Sequence, residues 1–291
     1  MIPPTFDYAA PETLSEAVSL LSQNGEAKIL AGGQSLIPMM RFRLAAPAFL
    51  IDINRLGELE YLREEAGWLR IGALTREAMI DSSNLVRERY SLLADTARVV
   101  ADPLVRNMST IGGNLAHADP ANDHPATMLA YGASFVATGP QGERVIPATE
   151  FFLGPFESAL SPDEILTEIR IPIPEANSGG AYLKLERKVG DFATAAVAAQ
   201  VGLDENGGCA FAGIGLTNVG FTPIKAGAAE ETLMGQPLSD VSIKHAARLA
   251  SEQAEPESDH RGSAEYKRHL VKTLTVRALR KAIERAQGET S

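Results

Sequence analysis

The chain has 291 residues, with 27 Lys and Arg against 37 Asp and Glu for a formal charge of −10, and it is 45% hydrophobic and 22% charged. That length suits about two domains, and the composition excludes a chain disordered throughout. The acidic balance argues against a nucleic-acid binder and against docking on an anionic membrane, both of which need clustered Lys and Arg. Cys209 is the one cysteine. It cannot form an internal disulfide, an iron–sulfur cluster or a Cys-rich zinc site, and its solitude fits a reducing, cytoplasmic compartment. The segment Met1 to Tyr8 lacks the basic-then-apolar order of a signal peptide. No apolar run approaches the ~20 residues of a membrane span.

In chain order, a first helix is expected over Glu12 to Asn24. Thr13 and Glu16 suit a capping box, Gly25 suits the C-terminal cap, and Leu14, Ala17, Val18 and Leu21 form an apolar stripe. Lys28 to Ala31 reads as a strand, Ser35 as the cap of a short helix over Leu36 to Arg43, and Phe49 to Ile53 as a buried strand. Together they make a βαβ-like unit and a mixed α/β fold. Further on, Trp68 to Leu74 reads as a strand and Leu92 to Val100 as a helix. Asn107 to Asp123 reads as a loop of small and polar residues, and Pro125 to Tyr131 as a helix. Ser134 to Thr138 and Glu143 to Pro147 resemble a hairpin around Gly139-Pro140-Gln141-Gly142, followed by a strand over Glu164 to Ile171. Pro172 to Gly180 holds two prolines and two glycines in nine residues, the composition of a linker. Three strands are expected after it, at Ala195 to Leu203, Cys209 to Leu216 and Phe221 to Ile224. Helices follow near Ala226 to Met234, Ser239 to Gln253 and Ala264 to Ala286. The resulting domains are residues 1–176, with subdomains 1–55 and 56–176, and residues 177–291.

Two glycine pairs stand out as candidate ligand-binding turns. Ala31-Gly32-Gly33-Gln34-Ser35 lies between a strand and a helix, and Thr110-Ile111-Gly112-Gly113-Asn114-Leu115 lies in the polar loop. Such turns let a ligand approach the backbone, and successive N–H groups form a nest for an anion such as a pyrophosphate. The plain alternative is two tight turns. No G-x-x-x-x-G-K-[ST] is present, which disfavours an ATPase or kinase. Gly213-Ile214-Gly215 starts a dinucleotide fingerprint that ends in Asn218, which disfavours a Rossmann domain. His117, Asp119, Asp123 and His124 gather metal-type ligands, but their spacing matches no ligand motif, and Asp123 suits a helix cap instead. Lys184 to Lys188 is a charge run, ordinarily a solvated face. No G-x-S-x-G elbow supports a serine hydrolase.

The two pairs together are far more specific than either alone. Ala31 to Leu36 combined with Thr110 to Asp123 resembles the FAD-binding medium subunits of the molybdenum hydroxylases, the family that includes carbon monoxide dehydrogenase and xanthine dehydrogenase. Asp163 to Pro172, Tyr182 to Lys184, Arg187 to Ala193, Ser263 to Leu270 and Leu274 to Leu279 extend the resemblance over nearly the whole chain. It implies a two-subdomain FAD-binding domain of the vanillyl-alcohol-oxidase-like type, then a C-terminal domain with a three-stranded sheet and helices. By resemblance, Ala31, Gly32, Gly33, Gln34, Ser35 and Leu36 together with Thr110, Ile111, Gly112, Gly113 and Asn114 bracket the FAD pyrophosphate and ribityl chain. Asp123 holds the cofactor, Leu166 lies near the flavin, Lys184 lies beside the isoalloxazine, and Phe192 lies near the ring where some members have tyrosine. Gln34 stands where several members have histidine. No motif for covalent flavin attachment is present, so the FAD is expected to be non-covalent, and no residue is assigned to catalysis or metal binding. The resemblance also implies partners: a large molybdenum-cofactor subunit and a small subunit with 2Fe–2S clusters, in a heterotrimer or its dimer. FAD in this chain would pass electrons from those clusters to an external acceptor. A stand-alone FAD oxidoreductase and a flavin-free scaffold are the alternative functions.

Overall fold

The computed structural model describes residues 2–288. Met1 and residues 289–291, the outermost positions of the two expected domains, lie outside the described residues. The mixed α/β architecture is built on three main sheets, in residues 7–52, 62–172 and 178–225.

The first sheet is parallel, with Phe49–Asp52 between Asp7–Ala9 and Ala27–Leu30. The helix Leu36–Arg41 crosses between the last two strands, so the expected βαβ unit is present. The helix Leu14–Gln23 buries Ala17, Val18 and Leu21 against Ile51 and Ile53. Its Thr13 cap accepts from Glu16 N at 3.2 Å, but the Glu16 carboxylate accepts from Glu12 N rather than Thr13 N, so the capping box is shifted by one residue. The C-terminal cap is Asn24, whose amide reaches back to Leu20 O at 2.7 Å; Gly25 does not take up a left-handed turn.

The second sheet is antiparallel, in the order Leu62–Glu65, Trp68–Gly72, Ile165–Pro172, Ser134–Gly139, Gly142–Pro147. The expected hairpin forms with Gly139 opposite Gly142. Leu62–Glu65 was not expected, since Leu-Arg-Glu-Glu has low strand propensity. It forms because Ala66 and Gly67 both take positive φ, closing a two-residue hairpin onto Trp68–Gly72.

The third sheet is an antiparallel meander of Ser178–Leu185, Ala195–Leu203, Cys209–Thr217 and Ile224–Lys225. Ser178–Leu185 adds a fourth strand to the expected three, and it begins inside the expected linker. Gly179 and Gly180 permit contact there rather than flexibility. A Cβ on Gly179 would lie 2.3 Å from Ala282 O, and one on Gly180 would lie 2.1 Å from Gln200 Oε1. The strand expected at Phe221 shortens to Ile224–Lys225, and Phe221 is exposed.

Ala195–Leu203 is buried on both faces, which explains a run that is apolar except at Gln200. Ala196 and Ala198 face the core of the second sheet, whereas Ala195, Val197, Ala199 and Val201 face the C-terminal helices Gly227–Leu233, Asp240–Gln253 and Ala264–Ala286. Asp95, in the helix Ser91–Val99, accepts from Lys281 and Arg285 of the last helix and fixes that packing.

Candidate functional site

The strand Ala27–Leu30 leads directly into Ala31 and the first glycine pair, with Gly32 buried and Gln34 exposed. Gly33 has φ +73°, a left-handed turn that glycine adopts without a steric cost. Among the described residues, the backbone amides of Gly32, Gly33, Gln34 and Ser35 donate to no protein group. Their carbonyls are used by the helix that follows: Ile37 N donates to Gly33 O and Met39 N to Ser35 O. Ser35 is helical in backbone and its hydroxyl makes no capping bond, which corrects its expected role as a cap. This loop therefore keeps a run of free N–H donors, the requirement for holding an anion.

The second glycine pair is built differently. Asn107 to Asp123 is not a loop throughout, because Ile111–His117 is a helix capped by Thr110, whose hydroxyl accepts from Gly113 N at 3.2 Å. Glycines oppose a helix by propensity, but here tertiary contact decides. A Cβ on Gly112 would meet Ala73 Cβ at 2.5 Å and Ala73 O at 2.6 Å. The amides of Ile111, Gly112, Gly113 and Asn114 are all engaged, by Thr75 O, Ala73 O, Thr110 Oγ1 and Thr110 O. Free amides thus belong to the first pair, while the second pair allows close packing. The second segment offers side chains instead: Ser109 Oγ and Asn114 Oδ1 are buried with no hydrogen-bond partner among the described residues.

The two segments touch. A Cβ on Gly32 would lie 2.2 Å from Met108 O, and one on Gly113 would lie 3.8 Å from Ala31 Cβ. Asn54 and Arg76, which the sequence reading missed, join them. Asn54 Nδ2 donates to Ala31 O at 2.6 Å, and Arg76 donates to Asn54 Oδ1 at 2.7 Å and to Met108 O. Asp52 orients Asn54 by accepting from its amide and side chain. Partial burial pushes the Asp52 carboxyl upward, but the bonds from Asn54 and Tyr8 outweigh it and hold the group below the usual range.

Asp123 and Lys184 meet at 2.9 Å, with side chains 8% and 3% exposed. Asp123 does not cap its helix. Its other oxygen accepts from the Tyr182 hydroxyl at 2.7 Å. Burial pushes the Asp123 carboxyl above its ordinary value, and the Lys184 ammonium and Tyr182 hydroxyl offset part of that. Burial and the adjacent Asp123 charge raise the Tyr182 hydroxyl well above its own. Glu186 Oε2 lies 3.3 Å from Lys184 on the other side. The run Lys184 to Lys188 is therefore a solvated face only at Arg187 and Lys188. Tyr182 and Lys184 share one face by strand periodicity, the signal that could have paired them with a carboxylate. Asn122 Nδ2 donates to Asn114 O at 2.9 Å and anchors the Asp123 segment to the second glycine pair.

Leu166 is buried in Ile165–Pro172, beside the β-bulge between Leu166 and Glu168. The next residue, Thr167, accepts at its carbonyl from Ala73 N, and Ala73 O accepts from Gly112 N, so a single residue links this strand to the second glycine pair. Phe192 is exposed, with the Arg261 guanidinium 5.9 Å from its ring centre. Among the described residues no cluster of three or more His, Cys, Asp or Glu could hold a metal ion. His117 packs on Phe156, and His124 pairs with Glu77 at 2.7 Å, both side chains fully buried. Burial pushes His124 down, but the Glu77 carboxylate outweighs it and raises the imidazole above its usual value. No helix among the described residues is long and apolar enough to cross a membrane.

Cys209 lies in the third sheet, outside both glycine segments. Burial pushes its thiol up to about 11. In the folded chain it is expected to react with a thiol reagent at pH 8 roughly a hundredfold more slowly than after unfolding, because the thiolate is the nucleophile. Timed labelling with and without denaturant measures this, and equal rates would contradict it.

The chain is similar to known proteins along its length. The family model described as the FAD binding domain in molybdopterin dehydrogenase matches residues 4–174. The one described as the CO dehydrogenase flavoprotein C-terminal domain matches residues 180–282. The chain is 44% identical over 290 residues to the carbon monoxide dehydrogenase medium chain of Afipia carboxidovorans, covering 99% of each. Its structure is similar to a solved carbon monoxide dehydrogenase from Hydrogenophaga pseudoflava, with TM-score 0.95 and 47% identity over 98% of this chain and 99% of that one. A solved quinoline 2-oxidoreductase from Pseudomonas putida matches with TM-score 0.91 and 34% identity over 100% of both chains. Alike along its whole length to such proteins, and matched by the family model over more than half its residues, the chain belongs to the FAD-binding family of the molybdopterin dehydrogenases and is an oxidoreductase subunit.

Proposed function

We propose that this chain holds FAD non-covalently as the medium subunit of a multi-component molybdenum-dependent hydroxylase or dehydrogenase in the cytoplasm. Its partners in this reading are a large molybdenum-cofactor subunit and a small 2Fe–2S subunit, in a heterotrimer or its dimer. Electrons leave the iron–sulfur clusters through this chain for an external acceptor. Residues 1–176 form the FAD-binding domain, divided near residue 55, and residues 177–291 form the C-terminal flavoprotein domain.

The observation that carries the reading is the contact between the two glycine segments, one with free backbone amides and the other with unpaired buried side-chain oxygens. The residues present fit the cofactor. The amides of Gly32 to Ser35 suit its pyrophosphate, and Asn114 and Ser109 suit its hydroxyls. Gln34 and Leu36 flank the nest, and Thr110 and Ile111 fix the second segment. Leu166 contributes an apolar wall, and Phe192 an exposed ring at the rim. FAD supplies one- and two-electron redox chemistry that no side chain here possesses. The chain's own part is to bind it, orient it and set the charge around it.

The test is an absorption spectrum of the purified chain before and after acid precipitation. Flavin bands near roughly 370 and 450 nm that move to the supernatant are the expected result for a non-covalent cofactor. A colourless chain that takes up no added FAD, alone or with its partners, overturns the reading. A second expectation concerns Lys184. Lys184→Met leaves the carboxylates of Asp123 and Glu186 without their shared cation. The flavin potential is then expected to fall by roughly 30 mV or more, a tenfold change in a two-electron equilibrium. A redox titration showing an unchanged potential removes Lys184 from that role.

A further inference from the structure

Three parts of the chain that are distant in sequence converge on Arg76. Its backbone pairs with Thr110 as an isolated antiparallel bridge, and its guanidinium donates to Met108 O, so it holds the second glycine segment at two points. The same guanidinium donates to Asn54 Oδ1 at 2.7 Å, and Asn54 Nδ2 donates onward to Ala31 O at 2.6 Å in the first segment. The relay is rigid at both ends. Asp52 fixes Asn54 through its side-chain amide at 2.6 Å and its backbone amide at 2.9 Å. Beside Arg76, Glu77 is fully buried on His124, and its own amide donates to Ser109 O at 3.1 Å. Arg76 makes no hydrogen bond or ion pair with Asp123 or Lys184; its one ion pair is with Glu60 at 3.9 Å, and it belongs to none of the hydrophobic core clusters.

We infer that Arg76, acting through Asn54, is a positioning residue that sets the spacing and register of the two glycine segments, and through them the affinity for the cofactor. The inference rests on the functional reading above. A planar guanidinium can donate to two acceptors at fixed geometry, whereas an ammonium on a flexible stem is a single point. The free amides of Gly32 to Ser35 make a nest only while the loop is held against Met108, where a Cβ on Gly32 has no room.

The experiment uses the full-length chain stripped of flavin and titrated with FAD. Arg76→Met and Asn54→Ala are each expected to weaken FAD binding roughly tenfold to a hundredfold, the range for losing a hydrogen bond to a charged group. The double variant should lose no more than the stronger single one, because both changes cut one relay. Arg76→Lys should recover part of the loss, since an ammonium can reach one of the two oxygens. Thermal midpoints of the flavin-free proteins, measured alongside, report folding. Wild-type affinity in both single variants, or a loss that merely tracks a lowered midpoint with no recovery in Arg76→Lys, overturns the inference alone. A wild-type chain that takes up no FAD overturns the functional reading, and this inference with it.

Discussion

Asp123→Ala is expected to cost about 3 kcal/mol of folding stability and to release the flavin from the purified chain, the largest effect of any single side chain in the site. Breaking a buried ion pair by removing one partner costs about 3–5 kcal/mol, because the other charge stays buried and uncompensated. Here the stranded group is the Lys184 ammonium, 3% exposed. The lower end of that range applies because Glu186 remains 3.3 Å away and Val99 O accepts from the same Nζ at 3.1 Å. The Tyr182 hydroxyl also loses its carboxylate and keeps only Thr217 Oγ1 at 3.2 Å. Urea unfolding of the flavin-free variant reads the stability, and absorbance of the purified protein reads the flavin.

Two further variants decide whether charge or shape is responsible. Asp123→Asn keeps an acceptor for Tyr182 and removes the charge, so it should resemble Asp123→Ala if the ion pair dominates. Lys184→Met alone should cost less than Asp123→Ala. Burial already pushes the Asp123 carboxyl toward its protonated form, and the Tyr182 hydroxyl still donates to it when Lys184 is gone. The double change Asp123→Ala with Lys184→Met should be less damaging than the sum of the singles, the coupling expected of groups in contact. Strict additivity would mean that the pair at 2.9 Å contributes nothing as a pair.

The elements that were legible are those whose signal is local. The stripe Ala17, Val18 and Leu21, the hairpin closed by Gly139 and Gly142, and the largely apolar run of Ala195–Leu203 follow from periodicity and turn chemistry alone. Where the reading and the structure diverge, glycine is usually the reason. Gly112 and Gly113 read as a loop but lie in a helix, and Gly179 and Gly180 read as a linker but lie in a strand. In both places atoms of another segment fill the space of a missing side chain, those of Ala73 at Gly112, of Ala282 at Gly179 and of Gln200 at Gly180, and only the folded chain reveals which. The site shows the same division. The glycine segments, Asp123 and Lys184 stand in motifs that resemble a family. Asn54, Arg76 and the Glu77–His124 pair do not, because their partners lie 22 to 47 positions away and no local pattern marks them. Arg76 reads as one more surface charge until Met108 O and Asn54 are found on either side of it.

Gly32→Ala is expected to lower FAD affinity at least a hundredfold while the flavin-free chain still folds, and Gly112→Ala is expected to do the reverse. Both substitutions drive a methyl group into backbone. On Gly32 it lands 2.2 Å from Met108 O and 2.8 Å from Ser109 Cα; on Gly112 it lands 2.5 Å from Ala73 Cβ and 2.6 Å from Ala73 O. What differs is the ability of the surroundings to yield. The Gly32 loop is anchored through few hydrogen bonds and its amides are free, so it can swing away from Met108 and lose only the arrangement that makes a nest. Gly112 sits in a helix whose first amides are tied to Ala73 and Thr75 and whose Ile111 and Leu115 are buried in the core, so the strain has no outlet. Overpacking of this kind typically costs 1–3 kcal/mol and occasionally more. The Gly112 variant should therefore show a lowered thermal midpoint without flavin, and FAD affinity reduced only in proportion to the folded fraction. Equal losses of affinity at equal stability in the two variants would mean that both glycine pairs meet the cofactor through their backbones, contrary to the division of roles between free and engaged amides.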